Sequence, residues 1–355
     1  GHSPEHISFT ARLIISGTPE ALFSGGALIA GGAGRTDLLG HEHSTPLAQQ
    51  VYHTLHDKLL HLPDHVTVYP THGAGSFCNA PASPDLVTTI GRERATNRLA
   101  RVNSEEEFVR VALSGLPSYP TYYRYMRAVN RVGAPVLGGV PTPSPLKPEK
   151  VSQLSKNGVA VIDIRSPRDY AAGHVPNSYG IPLASPLITW AGWVVPFGTP
   201  LVLIAQDPLQ REEAVRQLIR IGYDDLRGYL DGGIAAWEAD VAPLSRTPLI
   251  DVHELHDWTQ RANVPLILDV RLDREWRAGH LPNALHIEAG QLLDQIGRVP
   301  RDRPVVIQCG AANRATVSAS LLEQRGYTNV RLLDTGFSAW QDAGYEVVEE
   351  ATWVS

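Results

Sequence analysis

Pro304-Val305-Val306-Ile307-Gln308-Cys309-Gly310-Ala311-Ala312-Asn313-Arg314 is the stretch from which the rest of the chain is read. Residues 305–307 are β-branched and apolar and predict a buried strand, Gly310-Ala311-Ala312 predicts a tight loop, and residues 315–322 predict a helix. A cysteine set where a buried strand turns into a helix lies under converging backbone N–H groups and the positive end of a helix dipole. Both favour thiolate over thiol. Cys309 is therefore a candidate nucleophile, set against the alternative of a small buried hydrophobe.

Working outward, the sequence around this loop occurs twice. One copy contains Val161-Ile162-Asp163-Ile164-Arg165, Asp169-Tyr170, Gly173-His174-Val175-Pro176-Asn177, Gly222-Tyr223, Gly232-Gly233 and Trp237. The other contains Leu268-Asp269-Val270-Arg271, Glu275-Trp276, Gly279-His280-Leu281-Pro282-Asn283, Gly326-Tyr327, Gly336 and Trp340. Two homologous domains are expected, at 151–243 and 249–350, with Pro243 and Pro248 at their joint. Short strands alternating with helices imply an α/β fold with parallel sheets covered on both faces, where chemistry gathers at the carboxyl ends of strands. Alignment through Arg211 and Arg314 sets Gln206 opposite Cys309, and Pro208 removes one backbone donor from the earlier loop. The first copy thus reads as catalytically silent, a structural element or an interaction surface.

Composition narrows the remaining classes. A chain of 355 residues has room for two or three domains. Its 31 basic and 37 acidic residues give a net charge of −6, so no nucleic-acid partner is expected. No apolar run approaches the roughly 18 residues that span a bilayer, so no membrane partner is expected either. Cys78 and Cys309 make no disulfide framework, which fits a reducing compartment, and the cytoplasm is the expected location.

Ahead of the repeat, residues 7–15 predict a strand with 21–24 as its partner, followed by glycines at 25, 26, 31, 32 and 34. Thr45-Pro46 predicts a helix start, with Val51, Leu55, Leu59 and Leu62 at helical spacing. Residues 66–70 predict a strand that delivers Thr71-His72-Gly73 to a loop, and Ser104 with Glu107 predicts a capping box. Prolines at 135, 141, 143, 145 and 148 predict a stiff linker over 136–150.

The segments Gly1-His2-Ser3-Pro4-Glu5-His6, Gly34-Arg35-Thr36-Asp37-Leu38, Tyr69-Pro70-Thr71-His72-Gly73-Ala74-Gly75-Ser76, Thr88-Thr89-Ile90-Gly91 and Tyr119-Pro120-Thr121-Tyr122 resemble the second half of the metallo-β-lactamase fold. The resemblance is to the branch of persulfide dioxygenases and their rhodanese fusions. The repeat resembles the rhodanese domain, through D-x-R…G-H-[IV]-P at its start and G-Y…G-G…W near its end. Leu281 and Gly336-Phe337 are the second copy's departures. These resemblances imply a partial metallo-β-lactamase αββα sandwich over 1–135, then an inactive and an active rhodanese-like domain. Residue 1 is not a methionine and the only methionine is Met126, so an upstream part is expected; an upstream segment, a second chain or a homodimer would each cover the apolar face of the half-sandwich.

For the chemistry, the resemblance implies a sulfurtransferase in which Cys309 takes sulfane sulfur as a persulfide. Arg314 closes the loop and Gly310, Ala311, Ala312 and Asn313 surround the sulfur. The alternative for Arg314 is a purely structural role. The loop spans six residues from Cys309 to Arg314, against seven in related phosphatases, which favours sulfur over phosphate. Gly310-Ala311-Ala312 departs from the common C-R-S-G-x-R form and leaves the donor open. The implied partners are small sulfur donors and thiol acceptors, with no cofactor needed for the transfer. Iron or zinc in the N-terminal module would draw on His2 and His72, the surviving ligand positions. The family's upstream H-x-H-x-D-H cluster is absent, and its Thr-Gly-Asp reads Ser24-Gly25-Gly26, for which Asp37, in another motif, is no substitute. Two other functions stay open: a metal-dependent persulfide dioxygenase or thioester hydrolase, and a non-catalytic sulfur-binding scaffold.

Overall fold

The computed structural model describes residues 2–15, 17–71, 79–80, 85–114, 116, 119–261 and 263–349. They belong to two compact units, Gly1–Tyr119 and Pro120–Ser355. In the first, β1 (Phe9–Arg12), β2 (Pro19–Gly25), β3 (Ala33–Gly34), α1 (His41–Asp57), β4 (Thr67–Pro70), β5 (Asn79–Ala80), β6 (Thr88–Thr89), α2 (Ile90–Thr96) and α3 (Glu105–Leu113) follow in order. The sheet order is β1-β2-β4-β6, with β3 and β5 a separate pair. Alternation along β2 buries Leu22 and Ser24 and leaves Phe23 exposed, as a sheet covered on one face requires. Leu22, Val68, Val51, Leu55 and Phe108 share one core cluster. On the outer face Phe23 and Tyr69 stack with ring centroids 5.4 Å apart.

The helix expected from Thr45-Pro46 begins five residues earlier, at His41, and keeps Pro46 inside its second turn. A proline there forfeits only one early backbone bond, and the added turn is tied down by side chains: Ser44 Oγ donates to the Gly40 carbonyl and Thr36 Oγ1 to the Ser44 carbonyl, both at 3.1 Å. Ser104 does cap α3, accepting the Glu107 N–H at 3.2 Å.

The second unit opens with α4 (Tyr123–Val132) and continues with β7 (Pro145–Leu146), α5 (Pro148–Lys156), β8 (Ala160–Asp163), α6 (Pro167–Ala172), β9 (Tyr179–Gly180), α7 (Leu187–Val194), β10 (Leu201–Ile204), α8 (Pro208–Ile219), β11 (Leu226–Leu230) and α9 (Gly233–Asp240). The next copy runs β12 (Leu249–Ile250), α10 (Val252–Thr259), β13 (Leu266–Asp269), α11 (Asp273–Arg277), β14 (Leu285–His286), β15 (Val305–Gln308), α12 (Asn313–Gln324), β16 (Val330–Leu333) and α13 (Gly336–Asp342). Sheet orders β7-β11-β10-β8-β9 and β12-β16-β15-β13-β14 are the same arrangement, parallel throughout. The central strands β8, β10, β13 and β15 are buried at every position, so they read as apolar runs, broken only by Asp163, Asp269 and Gln308 at the carboxyl ends of β8, β13 and β15.

The unit boundary at 119/120 lies inside the module expected over 1–135. Thr121 draws the following segment onto the first copy, because its N–H and hydroxyl both donate to the Gly192 carbonyl, at 2.8 and 2.7 Å. Tyr125 stacks on Phe197 at 4.6 Å. The proline-rich stretch expected as linker over 136–150 likewise already contains β7 and the start of α5. Among the described residues no helix is long and apolar enough to cross a membrane.

Candidate active site

β15 lies between β13 and β16, and its carboxyl end hands the chain to Cys309, which is 1% exposed. The turn into α12 is made by Ala312, whose φ of 60° and ψ of −19° place an alanine in the left-handed region, at a cost of about 1–2 kcal/mol. Its carbonyl holds that conformation, accepting both the N–H of Thr316 at 2.8 Å and its hydroxyl at 2.9 Å. Asn313 N–H donates to the Ala311 carbonyl at 2.8 Å, so that amide is used inside the loop. Among the described residues, the N–H groups of Gly310, Ala311 and Ala312 donate to no backbone carbonyl. Three consecutive amides without internal acceptors are what an anion-holding loop needs.

Two contacts fix this loop from outside. Arg314 reaches Glu275 on α11 with Nη1–Oε2 at 2.5 Å and Nη2–Oε1 at 2.8 Å, a bidentate pair. Burial alone would raise the Glu275 carboxyl, but the Arg314 bond and charge, the Leu272 N–H and the Arg271 charge together hold it below the usual range. Burial opposes the charge on Arg314, and Glu275, then Cys309 and Asp269, outweigh it and raise its pKa. The second contact is Gly336, at the start of α13 with φ 70°. A Cβ there would stand 2.3 Å from the Cys309 carbonyl oxygen and 2.6 Å from that of Gly310. Phe337 N–H donates to the Cys309 carbonyl at 3.0 Å. The sequence named Glu275 and Gly336 as repeat positions without linking either to the loop. The matching places of Asp169 with Glu275 and of Gly233 with Gly336 were the available signal.

The D-x-R pair is a brace beneath the loop. Arg271 bonds both oxygens of buried Asp269, at 2.6 to 3.0 Å, and its Nη2 donates to the Gly279 carbonyl at 2.8 Å. Arg165, Asp163 and Gly173 repeat the arrangement in the first copy. Gln308 is fully buried beside Cys309, and among the described residues neither of its side-chain amide atoms finds a hydrogen-bond partner. The first copy's loop is otherwise built. Gln206 is exposed and donates to Asp169 Oδ2 at 2.6 Å, and Arg211 stacks 3.6 Å over the Tyr229 ring.

Among the described residues the expected metal positions do not assemble into a ligand set. His72 lies outside the described residues. His2 Nδ1 is 2.9 Å from the Arg35 carbonyl oxygen, and a Cβ at Gly26 would fall 2.4 Å from His2 Cδ2, so the imidazole fills the space where a ligating side chain at 26 would start. Gly26 N–H donates to His6 Nε2 at 3.0 Å. Burial lowers the His6 pKa, and the neighbouring His2 adds to the effect. Among the described residues no three His, Cys, Asp or Glu side chains gather as a metal-holding group. Among the described residues, His2 packed on Gly26 supplies one histidine, short of the three or four ligands that iron or zinc takes.

Comparison with known proteins agrees with this architecture. The rhodanese-like domain family matches residues 147–240 and 251–343, more than half of the chain. The thiosulfate sulfurtransferase GlpE of Shewanella oneidensis is 31% identical over 94 residues, 26% of this chain and 92% of that protein. Its counterpart in Pseudoalteromonas translucida is 33% identical over 86 residues, 24% of this chain and 79% of that protein. The crystal structure of a metallo-beta-lactamase from Staphylococcus aureus subsp. aureus COL is 30% identical with a TM-score of 0.55, across 64% of this chain and 65% of that one. The chain thus spans just under two thirds of that protein, and the likeness agrees with a metallo-β-lactamase-like N-terminal unit. The chain belongs to the rhodanese-like family, with two such domains in tandem, and the family and these relatives support sulfurtransferase activity.

Proposed function

We propose that the chain moves sulfane sulfur through Cys309, from thiosulfate or an organic persulfide such as glutathione persulfide to a thiol or cyanide. The observation that carries the reading is the pairing of a buried cysteine at a strand end with three backbone N–H groups, 310 to 312, that donate to no backbone carbonyl among the described residues. With thiosulfate, the Cys309 thiolate attacks the outer sulfur, the donor's S–S bond breaks, and sulfite leaves with the bonding pair. Cys309 is left as a persulfide. A thiolate or cyanide then attacks the terminal sulfur, the Cys309 thiolate leaves, and a new persulfide or thiocyanate is released. Atoms and charge balance without a cofactor.

In this reading the amides of residues 310–312 hold the anionic sulfur, and their strength comes from being fixed before reaction. Arg314 acts through Glu275 to keep the loop closed and adds positive field. The domain at 151–243 is silent and that at 249–350 is active, in a cytoplasmic protein that takes small sulfur compounds. Thiocyanate formation from thiosulfate or glutathione persulfide with cyanide tests it. The full chain is expected to turn over and Cys309→Ser is not, and a serine variant as fast as the native protein would sink the proposal.

A further inference from the structure

The silent copy grips the helix that carries the cysteine loop. α12 has 12 residues and is about 18 Å long, with the loop at its amino end. At the other end Glu323 is held by two groups from outside its own copy: Oε2 lies 2.8 Å from His174 Nε2, and Oε1 accepts the Thr247 hydroxyl at 2.6 Å. The next residue, Gln324, donates to the Asn177 carbonyl at 3.1 Å. Near the loop, the Thr316 methyl lies where a Cβ on Gly180 would be 2.9 Å away. α12 therefore meets the first copy at both ends.

His174 itself has no freedom to follow a moving partner. It is fully buried, its Nδ1 is 2.8 Å from the Tyr170 carbonyl oxygen, and its ring stacks on Tyr170 with centroids 3.8 Å apart. His280, the same position in the second copy, makes the same local contacts: Nδ1 is 3.0 Å from the Trp276 carbonyl oxygen and the ring stacks on Trp276 at 3.5 Å. Those contacts account for a histidine in either copy. The reach of His174 to Glu323 is an addition to them, and it falls on the helix that begins at Cys309's loop. Shifting α12 would strip a carboxylate of two partners in a largely buried place, which is costly.

We infer that the silent copy, with the joint that follows it, is a positioning element for the active one: His174 of the copy and Thr247 of the joint fix Glu323 and, through the rigid helix, the placement of residues 310–314 around Cys309. The inference rests on the Cys309 reading above. Neither His174 nor Thr247 touches substrate.

The test uses the full chain and the thiosulfate–cyanide reaction. His174→Ala and Glu323→Ala each lower kcat/KM about tenfold or more, since an error of about 1 Å in a reacting geometry costs up to about a hundredfold. The double variant loses no more than the worse single, as expected for one shared interaction. Glu323→Gln restores most of the rate, because a side chain of the same shape still reaches His174 Nε2 while its carbonyl accepts from Thr247. Arg168→Ala serves as the control: it removes the exposed ion pair to Asp334, 2.7 Å, between the same two copies without touching α12, and keeps the native rate. Native kcat/KM in both alanine variants, additive losses, no recovery with glutamine, or an equal loss in Arg168→Ala would each overturn the inference. Should His174→Ala not fold, Thr247→Val removes one hydrogen bond and carries the test, with about a threefold fall expected and an unchanged rate overturning it. Cys309→Ser separates the two layers: full activity there defeats the sulfur-transfer reading, whereas an inactive serine variant beside a fully active His174→Ala defeats only the brace.

Discussion

The two tandem copies have the same sheet order, the same Asp–Arg brace and the same histidine turn, yet the loops at the ends of β10 and β15 are held by different partners. In the second copy the α11 carboxylate, Glu275, takes the loop arginine. In the first its counterpart, Asp169, is one methylene shorter and bonds Gln206, while the arginine lies on Tyr229. Gly336 presses on the Cys309 carbonyl, whereas a Cβ on its counterpart Gly233 would meet nothing within 4 Å. A rhodanese-like frame therefore stands without its nucleophile, and what separates the loops is the set of contacts that closes one of them from outside.

The largest effect is expected where the copies differ most. Gly336→Ala adds a Cβ into the Cys309 carbonyl at a left-handed φ, and sulfur transfer should fall by about a hundredfold or more. Gly233→Ala, at φ 63° but in open space, should cost only about 1 kcal/mol of stability and leave turnover intact. Equal losses in thiocyanate assays would mean that Gly336 matters only for its backbone angle.

Next comes Glu275→Gln, which should slow transfer about tenfold by loosening Arg314. It also carries a pH signature. The folded carboxyl is held below its ordinary range, so its contribution to stability is present above the unfolded value and is lost as pH falls through the lowered one. Native protein should lose stability across that acid window more steeply than Glu275→Gln, and superimposable melting curves there would break the link. Gln308→Leu should act in the opposite sense. Removing a buried amide without a partner should stabilise the fold by about 1 kcal/mol, read as a higher midpoint in urea, and a lower midpoint would show that the amide is used. The smallest effect is expected from Gln206→Cys in a Cys309→Ser background: no thiocyanate above the serine control, because the exposed loop lacks an amide at Pro208 and its arginine is engaged elsewhere. Activity there would show that a nucleophile alone separates the copies.

Much of the fold was legible because the central strands are buried on both faces and read as apolar runs, and because the motifs occur twice. The strand–cysteine–loop–helix order was equally plain. Contacts across the fold were not. Arg314 and Glu275 stand 39 residues apart and His174 and Glu323 149 apart, and neither pair has a periodicity that marks the partner. The absence of an aspartate at Gly26 could be read directly, but not that the His2 ring fills its place. Thr45-Pro46 misled because a proline is tolerated early in a helix when side chains anchor the turn before it.

The outermost strands of the tandem sheets, β7, β9, β12 and β14, are each two residues long, and β7 spends one of them on a proline that has no N–H to offer. Two homologous sheets in one chain could exchange strands while folding, a characteristic failure of repeated domains. Such brief margins give a foreign strand little to pair with, and so they favour each copy closing on its own strands over a mixed sheet.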